Sequence, residues 1–515
     1  MDLTFLQGYD THRKIYLFAI LLIFVSMPLS AFGMSAGQFI LVANWLAEGN
    51  LRQKWQRFVR NKAAVVLVSL YLIHLAGLLY TTDFDYALKD LRIKLPLLIF
   101  PVLFSSIRPF NEKEVRLLLH FYLAAVFAGV IIGFYNLFFT DYSDIREISR
   151  FISHIRFSLH IVLGIYFAVY FLTREKSFAR RVGYLTLIIL FFLFLIALEA
   201  ATGLIITFIL AVFLGIYYSW RSNRLVSGLV ILLITAGVLA TGFWLKSAYT
   251  DYFVAKDSLD IHLKTPAGNN YSHWKKDDIE NGYHIYWYIN EMELKESWNR
   301  RSRLKYSGKD LKGQTLKYTL IRFLNSKGLK KDAAAVNSLD DSEIRAIEQG
   351  IANAVYLQHF NPKSRLYKIF MEYSLYKKGA NPSGHSLLQR LYFWKHGFNI
   401  IMENPFTGVG TGDVNIAFQK EYEKSHTALE PGYRFRAHNQ YLTFLITFGI
   451  PGLLWFLFVL FYPPIAMKKR NDYFYLVFFI TILLSMLTED TLETQAGATF
   501  YAFLNSFFLF LHRKE

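Results

Sequence analysis

Residues 183–219 read GYLTLIILFFLFLIAL-EAA-TGLIITFILAVFLGIYYS, two apolar runs of 16 and 18 residues separated by three residues that carry the one charge, Glu199. A run of this kind spans most or all of the roughly 30 Å of hydrocarbon in a bilayer, whereas a soluble fold would break it with polar turns. Similar runs lie on both sides. The spans read from the sequence are 15–33, 35–48, 63–80, 93–107, 117–139, 151–172, 183–198, 202–219, 226–244, 438–462, 473–488 and 496–511. The second and fourth are short, and the fourth contains Pro96 and Pro101, so a tilted, broken or re-entrant path stays open for both. Backbone inside lipid has to pair internally, which makes helix the expectation throughout. The fold class is therefore an all-α polytopic membrane protein with about twelve transmembrane helices and one large, mostly helical outer loop. Its parts are an N-terminal bundle over 1–245, the loop over 246–437 and a C-terminal membrane region over 438–515.

The formal charge of +17 on 515 residues would ordinarily suggest nucleic acid as a partner. Its distribution points elsewhere, because the basic residues cluster in alternate short loops. Arg52, Lys54, Arg57, Arg60 and Lys62 follow the second span, Arg108, Lys113 and Arg116 the fourth, and Arg174, Lys176, Arg180 and Arg181 the sixth. Arg221 and Arg224 follow the eighth, Lys468, Lys469 and Arg470 the tenth, and Arg513 and Lys514 the last. Opposite loops look different, for instance Asp141, Asp144 and Glu147 or Glu489, Asp490 and Glu493. By the inside-positive bias, both termini are cytoplasmic and the large loop lies outside. The run from Ile15 lacks a small-residue cleavage site and leads into further spans, so it reads as an anchor, not a removed leader. There is no cysteine, which excludes disulfides and thiolate metal sites.

The large loop is too long for a bare connection. Glu291–Arg303 mixes charged and large apolar residues, and in Asp340–Tyr356 the residues Ile344, Ile347, Ile351 and Ala354 recur at helical spacing. Asp340 or Asp341 is a candidate cap, and Gly350 interrupts the pattern. Positions 246–437 hold 29 Lys and Arg against 21 Asp and Glu, a basic balance that fits an anionic ligand or a surface held against acidic lipid.

Chemistry-bearing residues concentrate where this loop returns to the membrane. An amphipathic stretch beginning Gln389-Arg390-Leu391-Tyr392-Phe393-Trp394 leads into Asn404-Pro405-Phe406-Thr407-Gly408-Val409-Gly410-Thr411-Gly412-Asp413. Gly408, Gly410 and Gly412 make a tight turn whose amides could converge on an anion, or simply reverse the chain. Next, Arg434-Phe435-Arg436-Ala437-His438-Asn439 opens a long apolar helix that contains Gly449-Ile450-Pro451-Gly452. A histidine at the mouth of such a helix can accept a proton near neutral pH, and the arginines match phosphate geometry. The bland alternative is that His438 and Asn439 cap the helix while the arginines meet headgroups. Arg156, in Ser153-His154-Ile155-Arg156, lies within an apolar span and faces either the bundle interior or, by snorkelling, the headgroups. His160 sits deeper, and Glu199 either orients a cation or caps a helix. No Asp pair or His/Asp cluster suggests a divalent cation. Arginines for an anion plus a histidine base suit metal-independent transfer from a lipid-linked diphosphate to a hydroxyl. The bland and chemical readings of each residue remain open at this point, as does a transporter with Arg156 and His160 lining a pathway. Against transport, no inverted repeat is visible and the polar residues gather at one surface.

Two of these elements resemble the O-antigen ligase and polymerase superfamily of bacterial inner membranes, and the likeness is closest to the ligases. They are Arg390 with Trp394 ahead of Asn404–Gly410, and His438-Asn439 followed after nine residues by Gly449-Ile450-Pro451-Gly452. The layout of the whole chain fits the superfamily, and the detail is specific over about 385–455. The resemblance implies an inverting, metal-independent glycosyltransferase needing no cofactor. It would move a glycan from undecaprenyl diphosphate to a hydroxyl of lipid A-core at the periplasmic face. It assigns His438 to acceptor activation and Arg390 to the diphosphate; Arg156, Arg434, Arg436 and Asn439 are read from their own positions in the sequence as further candidate substrate contacts. Trp394, Gly408, Gly410, Gly412, Gly449, Gly452 and Glu199 take supporting roles. The expected partners are the lipid-linked donor, the lipid A-core acceptor and membrane lipid, with no nucleic acid; the sequence points to no particular protein partner. One departure is clear: where the family carries a Ser-Arg pair this chain reads Leu198-Glu199-Ala200, and Arg156 is the candidate replacement. A polymerase using the same donor, or a protein oligosaccharyltransferase, would share this architecture.

Overall fold

The computed structural model describes every residue except 1–7, 141, 143, 221–223, 257, 259, 275–277, 359 and 513–515. Asp141, Arg221, Arg513 and Lys514, which contributed to the orientation above, lie outside the described residues. Helix makes up 72% of the structure, which agrees with the all-α expectation.

The chain opens with α1 (Thr11–Ser26) and α2 (Ala31–Ala47). They correct the first two spans, because the apolar run 15–33 is not one helix. Pro28 has no N–H to extend α1, and Ser30 starts α2 by accepting from the Gly33 amide. A short amphipathic helix, α3 (Leu51–Arg60), precedes α4 (Lys62–Ala76), which tightens into a 3₁₀ turn at Gly77–Tyr80. Next comes α5 (Phe84–Ser106), which runs through Pro96 and Pro101. The long α6 (Glu112–Phe139) begins in a reciprocal cap between Asn111 and Glu114. It is followed by α7 (His154–Arg174), α8 (Phe178–Ala197) and α9 (Ala201–Ser219).

Two compact units emerge, Met1–Ala211 with Ala380–Glu515, and Val212–Gly379. The second contains the long α10 (Arg224–Phe253), the antiparallel pair β1 (Ile279–Glu280) and β2 (Tyr283–His284), and α11 (Glu291–Arg301). It continues with α12 (Leu316–Ser326), α13 (Ala333–Asn337), α14 (Asp341–Glu348) and α15 (Pro362–Lys377). Its core is built on Trp298, Leu294, Leu320, Phe323 and Ile347, and Arg322 pairs with the buried Glu280 at 2.8 Å. The helical spacing expected to continue to Tyr356 stops earlier. Asp340 and Glu343 form a reciprocal cap for α14, but Gly350 adopts φ 78° and ends it. Ala354–Leu357 is a separate 3₁₀ turn.

The first unit is completed by α16 (Ser386–Glu403), α17 (Val414–Lys424), α18 (Gln440–Ala466), α19 (Tyr473–Ser485) and α20 (Gln495–Ser506). An edge-to-face aromatic cluster sits in its middle, with Phe24 and Phe503 centroids 4.9 Å apart and Phe100 and Phe503 5.2 Å apart. Among the described residues, seven helices are long and apolar enough to cross a membrane: Lys62–Tyr80, Glu112–Phe139, His154–Arg174, Phe178–Ala197, Ala201–Ser219, Ser227–Phe253 and Gln440–Ala466. Helices also occupy the other five expected positions, but α1, α2 and α19 are short and α5 carries charge through its first half.

The two ends of the first unit differ in chemistry. At one end the Phe110 amide donates to Leu511 O at 2.9 Å, Arg13 donates to Arg108 O at 2.7 Å, and Lys469 and His512 both meet Asp472. The described ends of the chain and several basic loop residues therefore lie together. At the other end α7, α18 and α20 begin and α19 finishes, and the connector between α19 and α20 brings its acidic residues to the start of α18.

Candidate functional site

The site is organised by two loops that the sequence keeps apart. The first is Asn404–Asp413, which holds the broken middle of α18. Gly449 has φ 66° and ψ −167°, a conformation open essentially to glycine alone. A Cβ there would lie 2.4 Å from the Phe406 carbonyl. With Pro451 unable to donate, α18 is in effect two helices, and the carbonyls left over at the break need partners. The loop supplies them. Val409 N–H donates to Ile446 O at 2.9 Å, Gly410 N–H to Thr447 O at 2.9 Å, and in return Ile450 N–H donates to Pro405 O at 2.8 Å. Gly408 permits the approach, since a Cβ would fall 2.3 Å from the Thr447 backbone, and Gly452 packs tightly on Phe448. Of the two readings of Gly408, Gly410 and Gly412, an anion cradle or a reversal of the chain, the hydrogen bonds favour the reversal. Those amides are spent on Asn404 O, Thr447 O and Thr81 Oγ1 respectively.

Asp413 finishes the clasp by accepting from the amides of Thr82 and Asp83 and from the hydroxyls of Thr81 and Thr82. Burial pushes its carboxyl pKa up, but the bonds from Asp83, Thr82 and Thr81 outweigh this and hold it below the ordinary value.

The second loop is Glu489–Glu493, between α19 and α20. Asp490 accepts the His438 amide on Oδ2 at 3.1 Å, the Asn439 amide on Oδ1 at 2.9 Å and the Thr443 hydroxyl at 2.7 Å. His438 is thereby held at φ 47°, a left-handed conformation unusual for a residue with a side chain. Asn439 caps α18 by accepting from Leu442 N, and its amide donates to Leu487 O at 3.0 Å. The His438 ring lies between aromatic neighbours, with the Phe393 centroid at 5.7 Å and the Phe435 centroid at 6.2 Å. Among the described residues no hydrogen bond ties its ring nitrogens, and the side chain is half-buried.

Arg390, Phe393 and Trp394 share the face of α16 that meets this segment. Trp394 donates its indole N–H to Ala437 O at 2.9 Å, one residue before His438. Arg390 donates to Glu489 Oε1 at 3.0 Å. Arg156, near the start of α7, lines one cavity with Glu489, Thr491, His160 and Phe500. Glu489 thus draws Arg390 from α16 and shares a cavity with Arg156 from α7. Burial raises its carboxyl pKa, with the charges of Arg390, His438 and Arg156 working against that rise.

The remaining expected residues are placed differently. Arg436 is drawn into a buried ionic chain, with its guanidinium on Glu493 at 3.2 Å and on the Tyr86 hydroxyl at 2.8 Å. Glu493 also pairs with Lys94 at 2.8 Å, and Lys94 with Asp90 at 2.5 Å. Although burial opposes ionisation of both, their partners hold Arg436 above and Glu493 below their ordinary pKa values. Arg436, expected as a substrate contact, is thus engaged by Glu493 and the Tyr86 hydroxyl. Arg434 turns back on its own loop, donating to Leu429 O at 3.1 Å. Glu199 sits in the turn between α8 and α9 at φ 51°, with its amide on Ile196 O. His160 is buried against the Tyr122 hydroxyl at 2.8 Å.

Sequence reasoning missed Asp490, Glu489, Glu493, Lys94 and Asp90 as parts of this arrangement. Three acids within five residues had been read as loop charge alone. Their placement between two apolar segments, opposite a basic cluster, was the available signal, since buried charge demands a partner. Among the described residues no group of three or more His, Asp or Glu side chains is placed to hold a metal ion.

Chemically, this end of the unit offers a half-buried imidazole on a clamped backbone, a guanidinium beside it from α16 and another from α7. A comparison with curated proteins finds no match. The family model described as O-antigen ligase matches residues 350–457, which contain α16, the glycine clasp, His438 and the break in α18. Among the described residues seven helices are long and apolar enough to cross a membrane, and residues 350–457 are similar to the O-antigen ligase family.

Proposed function

We propose that the chain is an inverting glycosyltransferase that moves a glycan from undecaprenyl diphosphate to a hydroxyl of lipid A-core, at the periplasmic face of a bacterial inner membrane. The O-antigen ligase domain supports the ligase or polymerase type of reaction. The observation that carries the finer reading is the meeting of Arg390, Glu489, Arg156 and the His438–Asp490 clamp at one end of the first unit. Gathering of the described chain ends and basic loops at the opposite end supports cytoplasmic termini and an outward-facing His438.

In this reading Arg390 and Arg156 take the donor diphosphate in place of Glu489. Their charge stabilises the leaving group as the glycosidic C–O bond breaks. His438 accepts the proton of the acceptor hydroxyl as its oxygen attacks the anomeric carbon from the opposite side. The Asp490 clamp fixes where the imidazole stands but does not touch it. The clasp at Gly449 keeps the first half of α18 in register with α16, so that base and arginine stay neighbours.

Purified protein supplied with undecaprenyl-diphosphate glycan and either lipid A-core or a second donor molecule tests the assignment. Glycan appearing on lipid A-core supports the ligase reading. A ladder of lengthened undecaprenyl products identifies a polymerase instead, and solute flux without any transfer would reject both.

A further inference from the structure

We propose that the end of the bundle opposite His438 carries a binding site for the phosphate headgroup of an anionic membrane lipid. A cleft of ≈ 820 Å³ opens there between the ends of α3, α5, α18 and α20. Among the described residues four cations line it, Arg57, Arg108, Lys468 and Lys469, against the one carboxylate of Asp472. That carboxylate is already used, since Lys469 meets it at 2.9 Å and the His512 ring at 2.8 Å. Arg57 donates to the backbone oxygen of Ser106 at 3.2 Å, and among the described residues it has no acidic partner. Among the described residues the side chains of Arg108 and Lys468 have no acidic partner. Lys468 sits at φ 54°, so the chain accepts an uncommon backbone conformation where it delivers this cation to the cleft.

The neighbouring helix identifies the source of the anion. Along α3, Leu51, Trp55 and Val59 fall on one stripe and are 46%, 57% and 49% exposed, while Phe58 packs inward. Arg57, from the same helix, lines the cleft. A short helix with an outward apolar stripe beside a cationic face lies at headgroup depth, its apolar side among acyl chains. The cleft then opens at the level of lipid phosphates, where basic recesses between transmembrane helices hold anionic headgroups. A free phosphate ion would satisfy the same cations but would not use the stripe.

The test uses the full chain, purified in detergent and stripped of lipid. Its unfolding temperature is followed against added phosphatidylglycerol, phosphatidylcholine of the same acyl chains, or inorganic phosphate. Phosphatidylglycerol should raise the midpoint saturably, and phosphatidylcholine and phosphate should not. The double substitution Arg108→Gln with Lys468→Gln removes two cations and should weaken the apparent lipid affinity about tenfold or more. Arg180→Gln, an exposed cation outside the cleft, should leave it unchanged. Should the double variant unfold early without lipid, the single variant Arg108→Gln carries the same comparison. An equal response to both lipids, the same affinity in the cleft variants, or an equal loss in Arg180→Gln would overturn the proposal. A full response to inorganic phosphate would overturn the lipid assignment.

Discussion

Asp490 gives the sharpest structural test, because its carboxylate touches the proposed base only through the backbone. Asp490→Asn keeps Oδ1 for the Asn439 amide and the Thr443 hydroxyl. It places an NH₂ donor where Oδ2 now accepts the His438 amide at 3.1 Å. One charge-assisted bond, worth about 1.5–3 kcal/mol, becomes a donor facing a donor. His438 meanwhile holds a left-handed φ of 47° that costs a residue with a Cβ roughly 1–2 kcal/mol. The lost bond matches or exceeds that cost, so the His438 backbone should relax away from its present position. At about 1.4 kcal/mol per factor of ten, glycan transfer should fall by about one to two orders of magnitude. Donor binding should change little, since Arg390 pairs with Glu489 and Asp490 is held by the His438 and Asn439 amides and the Thr443 hydroxyl. Thr443→Val removes a bond to the same carboxylate but leaves both amides held, and should cost less than about tenfold. The assay is single-turnover transfer by purified protein, with donor affinity measured in parallel. Parent-rate transfer by Asp490→Asn, or equal losses in Asp490→Asn and Thr443→Val, would refute the positioning argument.

Three other outcomes follow from the same geometry. Arg390→Lys keeps charge but loses planar donors, so donor affinity should weaken by about tenfold, and unchanged binding by a folded variant would make Arg390 structural. Glu489→Gln frees Arg390 from its competitor and should tighten donor binding about two- to fivefold at neutral pH. Because burial raises the Glu489 pKa, the wild type should approach the variant's affinity as falling pH protonates that carboxyl, while the variant stays flat; weaker binding by Glu489→Gln contradicts this. The sign for stability is the same: a carboxyl whose pKa is raised on folding lets stability fall as pH rises through that window. Gly449→Ala forces a Cβ to 2.4 Å from the Phe406 carbonyl in a glycine-only conformation, and should destabilise by about 2 kcal/mol or more. An unchanged thermal midpoint would show that the clasp is not rigid.

Much of this architecture was legible because apolar runs and charge alternation are one-dimensional signals. The position of each expected span is occupied by helix, and Asn439 and Asp340 cap helices as their side chains allow. The errors came where a local signal competed with the apolar pattern. Pro28 and Ser30 split a run that composition alone joins, whereas the interruption read at Gly350 is where the helical spacing of α14 stops. The glycines at 408–412 left an anion cradle and a simple chain reversal both open, and their partners were not visible locally: Gly410 N–H serves Thr447 O of α18, nearly forty residues away, while Gly408 and Gly412 donate to Asn404 O and Thr81 Oγ1. The acidic connector was least legible. The charges of Glu489, Asp490 and Glu493 were visible, but their partners Arg390, His438 and Lys94 lie far along the chain, and only folding brings them together.

The central claim is that His438 removes the acceptor proton while Arg390 and Arg156 hold the donor. The most direct measurement compares His438→Ala with the parent for donor binding and for single-turnover transfer onto lipid A-core. A positioned base contributes about 10²–10⁴-fold, so the variant should bind donor as the parent does and lose transfer by that factor. Transfer at the parent rate by the folded variant would contradict the mechanism.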